Sequence, residues 1–203
     1  YEKGIPVILL SRTISNDKYT SFIHPKNTLI AKQAAKFIAK KLNYKGNVFV
    51  LQHTPTSTPG IRRTQGFLEE IKKFPNIKIV DMKVANSLRS EAILKTEEAI
   101  KEGLKFDAIY AQSDSMAIGA IMALKANKID PKKIVITGID YISEARELIK
   151  KGELDATYIY PTGGNQGVQI AMKILEGKKV QKEIIIESAQ ITIDNVDQIK
   201  PIF

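Results

Sequence analysis

The chain has 203 residues, no cysteine, 43% hydrophobic and 26% charged residues, and a formal net charge of +9. That length supports one large domain or two small ones with real cores, and no apolar run approaches the roughly 20 residues that span a bilayer. The lack of cysteine excludes disulfides, thiolate zinc sites and a cysteine nucleophile, while the positive charge raises nucleic acid as a partner, to be weighed against the pattern of the lysines.

Ile5–Leu10 (IPVILL) is a continuous apolar run between Gly4 and Ser11 and predicts a strand buried on both faces, with Arg12 after its carboxyl end. A short second strand is expected over Tyr19–His24, interrupted by Pro25. A helix capped by Thr28 then runs to about Leu42, with Ile30, Ala34, Phe37, Ile38 and Leu42 inward. Lys32, Lys36 and Lys40 repeat on its other face. This reads first as a solvated helix face and second as a phosphate-binding stripe; no aromatics interleave with the lysines, so no nucleic-acid partner is expected. The next strand is Asn47–Gln52, followed by the hydroxyl-rich loop His53–Thr58 and a helix from Pro59 to Phe74 with Phe67, Ile71 and Phe74 inward. Ile77–Ala85 predicts a strand ending at Asn86-Ser87, and Leu88–Gly103 a helix whose register is marked by Ile93, Glu97 and Ile100.

Phe106–Ala111 reads as a buried strand that stops at the polar turn Gln112-Ser113-Asp114, before a helix with Ala117, Ala120, Ile121 and Leu124 at three- and four-residue spacings. Asp114 is the expected N-cap of that helix. The same turn lies at a strand's carboxyl end, where open parallel sheets bind ligands, so capping and ligand contact both stand as readings. Lys133–Ile139 is a further strand ending in Asp140, Ser143–Lys151 a short helix, and Leu154–Tyr160 a strand closed by Pro161. A helix from Gly163-Gly164 to Leu175, a strand over Glu183–Gln190 and a polar tail to Phe203 complete the chain.

Strand and helix alternate throughout, which predicts an α/β architecture with a parallel sheet. The expected carboxyl ends carry Arg12, His53–Ser57, Asn86-Ser87, Ser113-Asp114, Asp140 and Tyr160. Such a rim suits a neutral polar small molecule. Catalytic footholds are few: there is no G-x-S-x-G elbow, no phosphate loop and no G-x-G-x-x-G. Neither His24 nor His53 has a second metal ligand at helical spacing, so no metal is expected. A Ser57–His53–Asp140 triad can be drawn, but such residues are too common to carry a hydrolase or transferase reading.

Five phrases together resemble the type I periplasmic binding proteins, the ribose-binding-like sugar-binding family: GIPVILLSR at 4–12, the R-x-x-GF element Arg63–Phe67, DAIYAQSDSMAIGA at 107–120, ITGID at 136–140 and KKGELDATYIYPTGG at 150–164. The same fold serves LacI-type repressor cores and sensor domains of histidine kinases. Tyr44-Lys45-Gly46-Asn47 looks like the transport branch, whereas the turn Tyr160–Gly164 is similar to kinase-linked sensors. The resemblance implies a two-lobed α/β fold, with 1–24 and 161–190 in the N-terminal lobe and 25–160 and 191–203 in the C-terminal lobe. Family members carry two or three further βα units before the position of Gly4, so an incomplete N-terminal lobe is expected in this chain.

It also implies ligand-binding residues. Arg12 and Arg63 match the family's forked donors, and Asp140 its acceptor of sugar hydroxyls. Ser113 stands where Asn is usual, Ser11 where Asp is usual, and Ser87 in place of a common aromatic. Tyr160 takes the place of an amide and can stack on a sugar's C–H face. Structural alternatives accompany these roles: Asp140 as a turn cap, Arg63 as a surface salt-bridge partner, and Ser11 and Ser113 bonded to backbone or solvent. The implied protein is a non-enzymatic, cofactor-free solute-binding protein, monomeric when complete, periplasmic or extracellular with or without a lipid anchor. Its partners are a small carbohydrate-like ligand and a membrane transporter or sensor kinase.

Overall fold

The computed structural model describes residues 3–202. Its first elements are β1 (Ile8–Leu10), β2 (Ser21–Pro25), α1 (Asn27–Lys41), β3 (Gly46–Gln52), α2 (Thr58–Ile71) and β4 (Ile77–Val84). Then come α3 (Arg89–Lys101), β5 (Ala108–Ala111), α4 (Asp114–Ala126), β6 (Val135–Thr137), α5 (Ser143–Lys150) and β7 (Thr157–Tyr158). The last are α6 (Gly164–Leu175), β8 (Glu183–Ile186) and β9 (Gln190–Ile191). The chain divides into two compact units: positions up to Lys26 with Pro161–Ser188, and Asn27–Tyr160 with the chain from Ala189 onward. None of the described helices is long and apolar enough to cross a membrane.

The smaller unit is a parallel sheet in the order β1-β2-β8, with α6 packed on it. The expected strand from Ile5, buried on both faces, is corrected here. Only Ile8–Leu10 joins the ladder, and among the described residues only β2 flanks it, so Ile5 is 62% and Leu10 42% exposed. Pro25 does not interrupt β2 but ends it, paired with Ile186, where a missing N–H costs least. His24 is buried, stacks on Phe22 at 4.0 Å between ring centroids and joins β8 through Nε2 to Glu183 Oε1 at 2.8 Å.

The larger unit holds the parallel sheet β4-β3-β5-β6. Side chains alternate with the two-residue period of a strand. Val48, Val50, Ala108 and Tyr110 pack with α1 and α2, while Phe49, Leu51, Ile109 and Ala111 pack with α3, α4 and α5. Both faces are covered, as an all-parallel sheet requires. The α/β class with parallel sheets expected from the alternation is therefore what the chain forms.

Several elements differ in detail from expectation. Helix α1 starts at Asn27, one residue before Thr28, and α2 closes at Ile71, with Phe74 packed against its end. The register of α3 is displaced by one residue: Ala92, Thr96 and Ala99 are buried, and Ile93, Glu97 and Ile100 only partly so. The cause is the neighbour. A Cβ on Gly119 of α4 would stand 2.5 Å from the Arg89 carbonyl oxygen and 2.9 Å from Ala92 Cβ, so α3 and α4 meet through small residues. Glu183–Gln190 is not one strand. It separates into β8 in the smaller unit and the start of β9, which pairs antiparallel with β7 in the larger. The tail after it is not merely polar, since Ile191 and Val196 are buried and the Tyr141 hydroxyl donates to the carbonyls of Val196 and Ile199 at 3.1 and 2.7 Å. On α1, Lys32 and Lys36 are spent on α2, at 2.9 Å from Glu69 and 3.8 Å from Glu70, which leaves the solvated-face reading of the lysine stripe.

Helices α1 and α2 approach closely at Gly66, where a Cβ would lie 2.4 Å from the Thr28 carbonyl oxygen. Backbone cannot yield there as a flexible side chain would. Gly66→Ala is expected to destabilise the larger unit by roughly 1–3 kcal/mol, the usual cost of overpacking. An unchanged urea midpoint for this variant would disprove the close contact.

Candidate ligand-binding site

The carboxyl ends of β3, β5 and β6 converge on two charged side chains, Arg63 and Asp140. Arg63 lies in the second turn of α2, which starts after its N-cap Ser57, and is only 3% exposed. Its Nε donates to Asn27 Oδ1 at 2.9 Å, and Nη1 donates to the carbonyl of Gln112, just past β5. The guanidinium carbon lies 4.6 Å from the centroid of the Tyr160 ring, a cation–π contact. Asn27 in turn donates from Nδ2 to the Tyr160 hydroxyl at 3.4 Å. Nη2 makes no hydrogen bond with a described residue and Nη1 spends one of its two N–H groups on Gln112, so three of the five donors of this buried cation are uncommitted. The surface salt-bridge alternative for Arg63 is thereby excluded.

Gln112 locks the floor of this arrangement. Its Oε1 accepts from the His53 amide at 2.9 Å and its Nε2 donates to Thr64 Oγ1 at 2.7 Å, tying the loop after β3 to the turn after β5.

Asp140 follows β6 with φ of 135°, and Tyr141 has φ of 64°, both on the left-handed side that L residues seldom adopt. The bend is over-determined. Asp140 N donates to Tyr158 O at 2.9 Å, Tyr160 N donates to Asp140 O at 3.2 Å, and Asp114 grips the next two amides. Asp114 is fully buried, its Oδ2 accepting from the Tyr141 and Ile142 amides at 2.6 and 3.0 Å and its Oδ1 from Thr157 Oγ1 at 2.5 Å. Only glycine fits at 138, since a Cβ there would stand 2.2 Å from Asp114 Oδ1.

Asp114 is therefore not the N-cap of α4. Ser113 is: its extended backbone (φ −154°, ψ 159°) brings Oγ to within 3.3 Å of the Met116 amide, while Asp114 is already helical and reaches across to the turn after β6. Burial drives both carboxyls above their ordinary range, Asp114 to about 7 and Asp140 to about 6. The charge of Asp140 raises Asp114 further, and the Arg63 guanidinium pulls Asp140 back down.

The remaining expected site residues have their own local settings. Ser11 and Arg12 belong to the smaller unit, after β1. Ser11 has φ of 64° and donates its amide to Ile23 O at 2.9 Å, and Arg12 is exposed. Ser87 follows β4 with φ of 63°, its Oγ buried without a hydrogen bond to a described residue. Tyr160 has one ring contact already taken by Arg63, so its aromatic character serves the cation as well as any ligand. Asn27 and Gln112 were not singled out by the sequence. Gln112 sat in a recognised polar turn, and Asn27 stood beside the residue chosen as the cap. No three His, Cys, Asp or Glu side chains among the described residues are placed to hold a metal ion.

An uncommitted guanidinium end and a carboxylate at the same sheet edge form a donor–acceptor pair suited to adjacent hydroxyls. Comparison with known proteins shows what the chain is similar to. Residues 1–179 match the profile of a periplasmic binding protein domain. Among curated relatives, a xylitol-binding protein of Mycolicibacterium smegmatis is 28% identical over 96% of this chain, and a ribose import binding protein of Haemophilus influenzae is 32% identical over 91%. The chain spans 56% and 63% of the lengths of these two relatives. Among solved structures, the fructose-binding periplasmic domain of a hybrid two-component system is 39% identical and superposes with a TM-score of 0.93, covering 98% of this chain and 67% of that one.

Proposed function

Because this chain belongs to the periplasmic binding protein domain family, we propose that it binds a sugar or sugar-like polyol, without chemical turnover, at the edge marked by Arg63 and Asp140. The observation that carries the reading is the buried guanidinium whose Nη2 is left unspent near the half-buried Asp140 carboxyl group. Arg63 donates to ligand hydroxyls and Asp140 accepts from them; Ser11, Arg12, Ser87, Ser113 and Tyr160 supply the remaining contacts. A ligand that binds one conformation more tightly than another shifts the population toward it, and that shift reports binding. The ligand-bound form outside the cytoplasm is the signal read by a membrane partner, an ABC importer.

A second reading, a sensor domain that reports the sugar to a histidine kinase, is favoured by one observation. The 39% identical structure is itself such a periplasmic domain. Both readings share the sugar site. The test is a thermal-shift titration of the full-length protein with D-fructose, D-ribose and xylitol. At a hundredfold excess over the dissociation constant, a ligand contributes about 2.7 kcal/mol of stability. At least one of the three is expected to raise the melting temperature by several degrees; a flat response to all three refutes the proposal.

A further inference from the structure

A guanidinium is useful as a specific donor only when its plane is fixed, because its forked N–H groups act along set directions. Arg63 is fixed from three sides. Asn27 holds Nε, the Gln112 carbonyl holds Nη1, and the Tyr160 ring covers one face. Asn27 is itself 2% exposed and held in turn. Turning its amide over would point Nδ2 at the Nε donor of Arg63 and lose the donation to the Tyr160 hydroxyl, so one orientation satisfies both neighbours. The three side chains close a ring of contacts built from residues 27, 63 and 160, far apart in sequence.

We infer that Asn27, locked by Tyr160, is the positioning residue of the site: it sets the plane of Arg63 so that Nη2 faces the ligand. This rests on the sugar-binding reading above, but it assigns Asn27 a role through Arg63 and no contact with the sugar itself. Tyr160 becomes first a support for the cation and only then a wall of the site.

The test combines a spectroscopic signal with a double-mutant cycle. The Arg63 Nε–Hε pair is expected to give a slowly exchanging resonance, identified by its loss in Arg63→Ala. Asn27→Ala is expected to abolish that protection. Asn27→Asp restores it, since one carboxylate oxygen accepts from Nε and the other from the Tyr160 hydroxyl. Binding of whichever of D-fructose, D-ribose and xylitol the wild type takes up is expected to weaken in Asn27→Ala by roughly 10- to 100-fold, the worth of one hydrogen bond to a charged group. In an Arg63→Ala background the same change is expected to cost nothing further, because two residues acting as one are not additive. Additive losses, or an Hε resonance in Asn27→Ala identical to wild type, overturn the inference. The resonance needs no sugar. A wild type that ignores all three sugars therefore refutes the ligand reading alone, while the resonance still decides whether Asn27 holds the cation.

Discussion

Arg63→Ala is expected to erase the stabilisation produced by any of the three sugars and to lower the melting temperature of the unliganded protein as well. The two effects have separate causes. The first follows from losing the unspent Nη2, the one guanidinium nitrogen engaged by neither Asn27 nor Gln112. The second follows from burial, since removing a 3% exposed side chain leaves Asn27 Oδ1 and the Gln112 carbonyl without their donor. Each stranded acceptor costs about 1–3 kcal/mol, so a loss of roughly 3 kcal/mol in stability is the expected scale. Arg63→Lys separates the causes: it keeps the charge and most of the volume but cannot present a planar fork to two acceptors at once. It is expected to recover part of the stability and none of the sugar response. A full ligand shift in Arg63→Ala, measured by calorimetry at saturating sugar, would remove Arg63 from the site.

The second large effect concerns pH. Asp114 and Asp140 titrate as a pair, with folded values near 7 and 6, both above the ordinary aspartate value of 3.8. Between the ordinary value and these raised ones, the folded chain holds protons that the unfolded chain has released. Stability contributed by the pair is therefore complete on the acid side and is lost as pH rises through about 6 to 7. The slope is about 1 kcal/mol per pH unit for each extra proton held. The acidic groups shifted the other way, such as Glu70 beside Lys73, lose their contribution only as pH falls below the usual carboxylate range, so their window is distinct. On the proposed sugar-binding reading, affinity is expected to run opposite to stability, because ionised Asp140 accepts from hydroxyls better than its neutral form. The melting temperature is thus expected to fall from pH 5 to pH 8 while affinity rises. Asp140→Asn is expected to flatten the affinity trend and to weaken the stability trend without removing it, because Asp114 stays raised by its own burial. A wild-type melting temperature that is constant across this range would show that the pair does not share its protons as described.

The parts of this architecture readable from sequence are those governed by short-range periodicity. Val48–Leu51 and Ala108–Ala111 alternate between two cores as apolar strand runs should, and Ser57, Pro59 and Gly163 mark helix starts by their chemistry. Errors arose where two local choices were both acceptable and a distant contact chose between them. Ser113 and Asp114 are equally good caps on paper; the amides of residues 141 and 142 and the Thr157 hydroxyl claim Asp114, leaving the cap to Ser113. Hydropathy favoured Ile93 and Ile100 as the inner stripe of α3, but Gly119 admits only small partners, so size overrode hydropathy. Arg63 and Asp140 were legible through a family resemblance. Asn27 was not, because its partners Arg63 and Tyr160 lie 36 and 133 positions away.

Asn27 and Tyr160 share one more property. Asn27 is the first residue of the larger unit after Lys26, and Tyr160 its last before Pro161. The first and last residues of the long segment Asn27–Tyr160 are therefore fastened to one cation, so the two ends of a 134-residue stretch are held together by a single guanidinium.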